Sequence, residues 1–268
     1  MTAAVAVTGL LVASAPAVWL SRSDELRRRW VTWLLIAVVA GPLLSWGAAP
    51  TAVLAAAVAA VASREYARLL RMPRPDCAAL VLAAVLLPVT ALVRPSWLAL
   101  LPVVLLLTPV VPVLTRDVAA GGTRAAHLAF GIVWLAWAPA HLVLVHGDAL
   151  LVVLAVAVCD VASWAGGRAL GRLPVLSVRF TPVSPNKTVA GLVGGAVGAA
   201  VLLAALGAWS PALWLAVAVG APLGDLVASL FKRQAGVKDA GRCLPGFGGV
   251  LDRVDSLLVV LPLVAVLP

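Results

Sequence analysis

Long apolar windows recur along almost the whole chain, and short charged clusters separate them. A helix needs roughly 20 consecutive apolar residues, and at least about 17, to cross the hydrocarbon core of a bilayer. The pattern predicts helices at 3–20, 30–47, 49–63, 78–93, 96–114, 128–146, 149–166, 188–208, 212–231 and 256–268. Because the third, fourth and tenth windows are short, we expect about eight to ten membrane helices in an all-α, polytopic transmembrane bundle.

The charged clusters follow alternate predicted helices, which constrains the topology. They lie at Arg22–Arg29, Arg64–Arg74, Arg116–Arg124, Arg168–Lys187 and Lys232–Arg253. Two predicted helices separate each cluster from the next, so all the clusters belong on one side of the membrane. Of the 20 Lys and Arg residues, only Arg94 falls on the other side. Because basic loops stay in the cytoplasm, we predict an external N-terminus and cytoplasmic charged loops.

Composition and charge exclude several classes of protein. A chain that is 63% hydrophobic and 12% charged is not a soluble domain. We attribute the net charge of +9 to the basic cytoplasmic loops, which set the topology and contact anionic lipid headgroups. Binding of nucleic acid would need a solvated basic face, and the pattern leaves none. Cys77, Cys159 and Cys243 are odd in number and lack metal-type spacing, so we expect neither a disulfide nor a zinc site.

The stretch from Gly224 to Ser256 differs from the rest of the chain because acidic and basic residues alternate in it. The acids are Asp225, Asp239, Asp252 and Asp255, and the bases are Lys232, Arg233, Lys238, Arg242 and Arg253. Carboxylates bind hard cations through oxygen, while Lys and Arg neutralise phosphate oxygens. This stretch therefore predicts Mg²⁺-dependent chemistry on a phosphorylated substrate at the membrane edge.

Two of the acids lie inside predicted membrane helices. Asp160 is in the helix at 149–166, and Asp225 is in the helix at 212–231. A carboxylate within a membrane helix costs roughly 2.5–3.5 kcal/mol on insertion scales and commonly marks a pathway or a bound ion. A structural ion pair with Arg168 or Lys232, one or two turns further on, explains the two acids equally well.

A second candidate site precedes the helix at 188–208. Lys187 follows the Ser184-Pro185 turn and comes at the beginning of this helix, where free N–H groups and the positive dipole end favour phosphate. The alternative for Lys187 is a basic anchor at the cytoplasmic surface. Gly191, Gly194, Gly195 and Gly198 have the small-residue spacing that is typical of close helix packing.

The spacing of these polar residues resembles the C-terminal motifs of the phosphatidate cytidylyltransferases, also called CDP-diacylglycerol synthases. The matching positions are Asp160, Gly167-Arg168, Gly171, Ser184-Pro185, Lys187-Thr188, Gly191, Ser229, Lys232-Arg233, Lys238-Asp239, Pro245-Gly246, Gly248-Gly249 and Asp252-Arg253-Val254-Asp255. The resemblance covers roughly residues 150–256. Four positions depart from the family pattern: Trp164 replaces Tyr, Ala190 and Ala228 replace Glu, and Phe247 replaces His.

The resemblance implies attack of a lipid phosphate on the α-phosphorus of CTP, which gives CDP-diacylglycerol and pyrophosphate for phospholipid biosynthesis. It implies catalytic roles for Asp225, Asp252, Lys232 and Lys238, and substrate binding by Ser184, Lys187, Ser229, Arg233, Asp239 and Arg253. The implied metal is Mg²⁺, with a second cation left open, and its ligands would be Asp225, Asp252, Asp255 and Asp160. The implied partners are CTP, phosphatidate or a similar lipid phosphate, and membrane lipids, with a homodimer left open. The implied location is multi-pass in the cell membrane, as a bacterial inner-membrane protein.

Two other functions are compatible with parts of the pattern. A non-catalytic relative, or one with altered specificity for another lipid phosphate, would explain Phe247, Ala190 and Ala228. An ion-coupled transporter would explain acids inside helices, but it is typically built from two corresponding halves, whereas the charged motifs here crowd into one half. We expect residues 1–147 to form a scaffold with lipid access and residues 148–268 to carry the nucleotide and metal site.

Overall fold

The computed structural model describes residues 2–20, 23–171, 173, 177–241, 243 and 248–267. These residues form α1 (Thr2–Leu20), α2 (Asp24–Ser45), α3 (Ala48–Leu69), α4 (Arg74–Val93), α5 (Leu101–Leu106), α6 (Val110–Leu114), α7 (Gly121–Gly131), α8 (Ala138–Leu144), α9 (Ala149–Leu170), α10 (Val189–Ala205), α11 (Pro211–Gln234) and α12 (Leu251–Val266). A 3₁₀ segment at Pro95–Leu100 precedes α5, and a π-helical segment at Ile132–Trp137 joins α7 to α8. An isolated antiparallel β-bridge joins Arg179 to Thr188.

The structure confirms an all-α polytopic membrane protein. In the described part of the chain, five helical segments are long and apolar enough to cross a bilayer: Ala3–Leu20, Arg74–Val93, Gly121–Leu144, Ala149–Leu170 and Pro211–Gln234. Shorter apolar helices lie at Trp30–Ser45, Pro95–Leu106 and Val189–Ala205. Each of these five long segments and three shorter helices overlaps a helix that the sequence pattern predicts.

The predicted helices are too short at the charged end of the bundle. Helix α3 continues to Leu69 instead of ending at 63, α7 begins at Gly121 instead of 128, and α12 begins at Leu251 instead of 256. The apolar windows mark the part of each helix that suits the bilayer, whereas Arg and Glu are good helix formers that extend the backbone beyond it. Glu65, which the predicted helix at 49–63 leaves out, is therefore a helical residue.

The predicted helix at 96–114 is not continuous. It is divided into the 3₁₀ segment, α5 and α6, with a turn at Leu107–Pro109. Each of Pro102, Pro109 and Pro112 lacks a backbone N–H and so removes one helical hydrogen bond. The chain therefore passes between the two ends of the bundle here in short helical pieces.

The charged clusters share one end of the bundle, as their alternation predicts. Glu65 near the end of α3 contacts the beginning of α12, and Asp76 at the beginning of α4 contacts Arg124 in α7. Lys232 near the end of α11 contacts Asp252 in the first turn of α12. Arg94 follows the last residue of α4 and therefore lies at the opposite end.

Close packing of α9 on α10 sets the frame of the site. A Cβ atom at Gly194 would lie 2.8 Å from the Cα of Gly166, and one at Gly166 would lie 2.9 Å from the carbonyl oxygen of Ala190. Real Cβ atoms do not approach so closely, so the two helices depend on glycine at this crossing. The packing role predicted for the α10 glycines is confirmed.

The apolar core is shared by the two halves of the chain. Its largest cluster joins Ala52 and Ala55 of α3 to Val152 of α9, Val217 of α11 and Val260 of α12. A second cluster contains Tyr66, Ala228 and Leu251 and lies at the charged end. The two parts of the chain, residues 1–147 and 148–268, therefore share one apolar core. The functional division between them stays a prediction.

Candidate active site

Four helices, α3, α9, α11 and α12, and the segment before α10 bring polar side chains together at the charged end. The closest approach is between α11 and α12, where Gly224 lies directly against the backbone of Asp255 and Ser256. A Cβ atom at Gly224 would overlap the carbonyl oxygen of Asp255, so only glycine fits. This contact places Asp225, the next residue, beside the acids of α12.

Lys232 forms the buried centre of the site. Its ammonium group donates to Asp252 Oδ1 at 2.8 Å and lies 3.9 Å from Asp255 Oδ2. All three side chains are buried. Buried charges need partners, and the ammonium group of Lys232 has the carboxyl groups of Asp252 and Asp255 beside it.

Asp252 also orders the glycine-rich loop that precedes α12, of which the structure describes Ala240, Gly241, Cys243 and residues 248–250. Its Oδ2 atom accepts hydrogen bonds from the backbone N–H groups of Ala240 at 2.8 Å and Gly249 at 2.9 Å. A carboxylate offers about four lone-pair positions, and Lys232 with these two N–H groups occupies three of them. One position on Oδ1 is left for a cation or a further donor.

Glu65 of α3 also binds the backbone at the beginning of α12, a contact that no sequence pattern indicates. Its Oε1 atom accepts the N–H of Val250 at 3.1 Å, and its Oε2 atom accepts the N–H of Leu251 at 2.7 Å. These groups belong to the beginning of α12, which has no capping hydrogen bond from its own N-cap side chain. Glu65 therefore caps a helix 186 residues further along the chain.

Lys187 and Asp225 form a second ion pair, which is partly exposed. Lys187 contacts a carboxylate oxygen of Asp225 and also lies 3.4 Å from the carbonyl oxygen of Pro222. Its position is fixed locally: the Lys187 N–H donates to the Ser184 carbonyl at 3.0 Å, and Thr188 Oγ1 accepts the N–H of Gly191 at 3.2 Å. The predicted position of Lys187 at the beginning of a helix is confirmed, and the helix is α10.

The ion pairs of Asp160 and Asp225 with basic residues of their own helices do not form. Asp225 pairs with Lys187 of another helix and not with Lys232. Asp160 accepts a hydrogen bond from the hydroxyl of Ser256 at 3.2 Å, while the guanidinium of Arg168 lies over the ring of Trp164 at 5.8 Å. Both acids therefore take partners from other parts of the bundle and not from their own helix.

The remaining candidate residues lie around this centre. Arg233, Lys238, Asp239 and Arg253 are exposed at the rim, whereas Ser229 is buried and Ser184 is half-buried. Asp239 approaches the backbone of Gly248, which has a left-handed φ of 83°. The rim therefore offers several exposed cationic groups near the buried pair of Lys232 and Asp252.

The four departures from the family pattern lie in different environments. Ala190 and Ala228 are fully buried, so a glutamate at either position would be a buried carboxylate in need of a partner. Trp164 is 69% exposed. Phe247 lies outside the described residues, as do Arg242 and Gly246.

The donor atoms suit a hard cation. Within the described ranges, no three His, Cys, Asp or Glu side chains converge as a ready-made metal site. Mg²⁺, however, commonly takes only one or two protein carboxylates and completes its shell with water and substrate phosphates. Asp225, whose side chain is 30% exposed, and the remaining position on Asp252 Oδ1 provide such oxygens. The residues therefore fit Mg²⁺ that binds together with a phosphorylated substrate.

Comparison with known proteins identifies relatives. The family model described as "Cytidylyltransferase family" matches residues 27–268. The phosphatidate cytidylyltransferase of Brucella suis biovar 1 is 50% identical over 107 residues, which cover 37% of this chain and 38% of the relative. The enzyme of the same name from Helicobacter pylori strain 26695 is 45% identical over 117 residues and 41% of each chain. The one from Staphylococcus saprophyticus is 41% identical over 127 residues, covering 44% of this chain and 47% of the relative. Each alignment thus spans less than half of the relative.

Proposed function

This chain belongs to the cytidylyltransferase family, and from that premise we propose that it transfers the cytidylyl group of CTP to phosphatidate, which yields CDP-diacylglycerol and pyrophosphate. The observation that carries the proposal is the pair of lysines at the charged end. Lys187 is held by Asp225, and Lys232 is held by Asp252 and Asp255. Ammonium groups that acids position at the edge of a membrane suit a reaction between a nucleotide and a lipid phosphate.

The reaction needs charge neutralisation more than it needs proton transfer. An oxygen of the lipid phosphate attacks the α-phosphorus of CTP, a new P–O bond forms, and the bond to the β-phosphate oxygen breaks to release pyrophosphate. A phosphate monoester is largely dianionic near neutral pH, so its attacking oxygen carries no proton that a base must remove. The chain's task is to align two anions that repel each other and to screen their charge.

The two lysines would divide this task. Lys187 is one-quarter exposed and lies just before Thr188, the N-cap of α10, so it can exchange Asp225 for a phosphate oxygen when the nucleotide binds. Lys232 is buried and cannot leave its carboxylates without a large cost, so it would keep Asp252 in place and add a fixed positive charge. The exposed Arg233, Lys238 and Arg253 would bind the triphosphate and the lipid phosphate at the rim.

Mg²⁺ is the cofactor that fits this donor set. When bound, it would neutralise charge on the phosphate oxygens. Asp225 and Asp252 would hold it, with Asp255 and Asp160 as additional acids and a second cation as an option. Ser184 and Ser229 would hydrogen-bond the phosphates, and Asp239 would orient the bases of the rim.

The location of the site in a membrane bundle follows from the substrate. The acyl chains of phosphatidate would remain in the hydrocarbon region and enter between helices, while the headgroup reaches the charged end. We place the chain in the cell membrane with this end in the cytoplasm, where CTP is available.

The orientation can be measured by cysteine accessibility in intact cells. Ser210 caps α11 at the end opposite the site, and Ser177 lies in the segment that leads to Lys187. After replacement of the three native cysteines, we expect an impermeant thiol reagent to label Ser210→Cys and not Ser177→Cys. Lysed cells provide the control, because both positions should then react. The reverse pattern in intact cells would place the site outside the cytoplasm.

The activity is tested with purified protein in detergent, CTP, Mg²⁺ and phosphatidate. We expect CDP-diacylglycerol and pyrophosphate in equal amounts, and neither product when EDTA replaces Mg²⁺ or when CTP is omitted. A family member with demonstrated activity, assayed in parallel, controls for the detergent and the lipid. Absence of CTP-dependent product from phosphatidate would defeat the proposal. Product formed only with a different lipid phosphate would identify that lipid as the acceptor instead.

A further inference from the structure

We propose that Glu65 is a positioning residue for the active site, which acts from α3 by fixing the backbone at Gly241, Gly249 and Val250 and the first turn of α12. This inference rests on the proposed function for its kinetic consequences. Glu65 lies far from the charged motifs in sequence and is 1% exposed. It belongs to none of the motif positions that resemble the family.

The first argument is the pattern of its hydrogen bonds. Both carboxylate oxygens accept backbone N–H groups, those of Val250 and Leu251, at the beginning of α12. A negative charge at a helix N-terminus interacts favourably with the unsatisfied N–H groups and with the positive end of the helix dipole. The charge of Glu65 is therefore directed to the α12 backbone.

The second argument is the close packing of two glycines on the carboxylate. Gly241 and Gly249 lie so near Glu65 that a Cβ atom on either would overlap its oxygens. The backbone at these two glycines is therefore packed directly against this one side chain. A shorter residue at position 65 would leave a cavity beside them, and a larger residue at 241 or 249 would collide with the carboxylate.

The third argument is that Glu65 is linked to Lys232 through the first turn of α12. Leu251, which Glu65 holds, is followed directly by Asp252. Asp252 accepts the N–H groups of Ala240 and Gly249 and pairs with Lys232. Displacement of the first turn of α12 would thus move the carboxylate, the loop and the ammonium together. Misplacement by about 1 Å can lower a rate by about 100-fold.

Asp76 provides a matched comparison for these effects. It is also a fully buried carboxylate at the charged end, and it also accepts two hydrogen bonds, at 2.7 and 2.8 Å from Arg124. Its partner Arg124 lies in α7, and Arg124 also donates to Asp117 in the turn before that helix. Asp76→Asn should therefore destabilise the bundle without moving the loop.

The kinetic test compares Glu65→Gln with Asp76→Asn. Gln keeps the size of the side chain but loses the charge. Its NH₂ group would also face the N–H of Val250 or Leu251, and two donors cannot form a hydrogen bond. For Glu65→Gln we expect kcat per folded molecule to fall by about 10-fold to 100-fold, with KM for phosphatidate changed by less than about threefold, because Glu65 does not reach the substrate. Asp76→Asn should lower the thermal unfolding midpoint and leave kcat within about twofold of the parent. Glu65→Asp, which restores the charge, should recover part of the lost kcat.

A second measurement is independent of catalysis. Cys243 is exposed and lies between Gly241 and Gly248, so a spin label on it reports the order of the loop. In a background with Cys77→Ser and Cys159→Ser, we expect Glu65→Gln to increase the mobility of the label and Asp76→Asn to leave it unchanged. If the parent protein makes no CDP-diacylglycerol, the proposed function fails while the label still tests the role of Glu65. An unchanged label in Glu65→Gln, or equal changes in both variants, would overturn the inference whatever the activity.

Discussion

Replacing Asp225 by Asn is expected to lower turnover by about 100-fold to 1000-fold while the protein remains folded. Asn keeps the shape of the side chain but removes the charge that holds Lys187 and would bind the cation. Because Lys187 and Asp225 are 25% and 30% exposed, water screens their interaction and its loss should change stability little. The measurement is CDP-diacylglycerol formation at saturating Mg²⁺, together with the thermal unfolding midpoint in detergent.

A matched control for this variant is available at the other end of the bundle. Asp148 is an exposed acid that precedes α9, and Asp148→Asn makes the same chemical change away from the site. It should leave turnover within about twofold of the parent, as is usual for an exposed residue without a functional contact. Near-normal turnover of Asp225→Asn at saturating Mg²⁺ would remove Asp225 from the active site.

Asp252→Asn is expected to damage both stability and activity. It leaves the buried Lys232 with Asp255 at 3.9 Å as its nearest acid, and it places an NH₂ group against an ammonium or against two N–H donors. Removing one partner of a buried ion pair commonly costs about 3–5 kcal/mol. In a protein of this size we expect the unfolding midpoint to fall by about 10 °C. Turnover of the fraction that remains folded should fall by at least about 100-fold.

A double variant separates the two effects. Lys232→Met added to Asp252→Asn removes the unpaired ammonium and should recover part of the lost midpoint, since replacing a whole buried pair by apolar or neutral groups is often tolerated. It should recover no turnover, because the fixed charge and its carboxylate are both absent. A double variant no more stable than Asp252→Asn would contradict the buried pairing of Lys232.

Several features of this protein follow from sequence alone because they depend on neighbours along the chain. Apolar windows locate most helices, since each window must satisfy its own backbone hydrogen bonds in lipid. The alternation of basic clusters places the charged loops at one end, as the contacts of Glu65, Asp76 and Lys232 show. The Ser184 turn before Lys187 is equally local, and so is the Thr188 cap of α10.

Other features depend on distances across the bundle, which no spacing encodes. Lys232 is two turns from Asp225 on the same helix, yet it pairs with Asp252, because the Gly224 contact brings α12 to that face of α11. Lys187 takes Asp225 instead. Glu65 reaches a helix 186 residues away. Hydropathy also underestimated the length of α3, α7 and α12, because it measures affinity for lipid rather than the tendency to be helical.

The sequence by itself determined the membrane class, the positions of most helices, the end of the bundle that carries the charge and the list of candidate acids and bases. Each of these depends on composition or on contacts within a few residues. Only the tertiary structure decided which acid pairs with which base, that Glu65 caps α12, and that residues 95–114 form short pieces rather than one helix. The reason is that ion pairs and caps in an apolar bundle form between whichever buried groups the packing of glycine and alanine faces brings into contact.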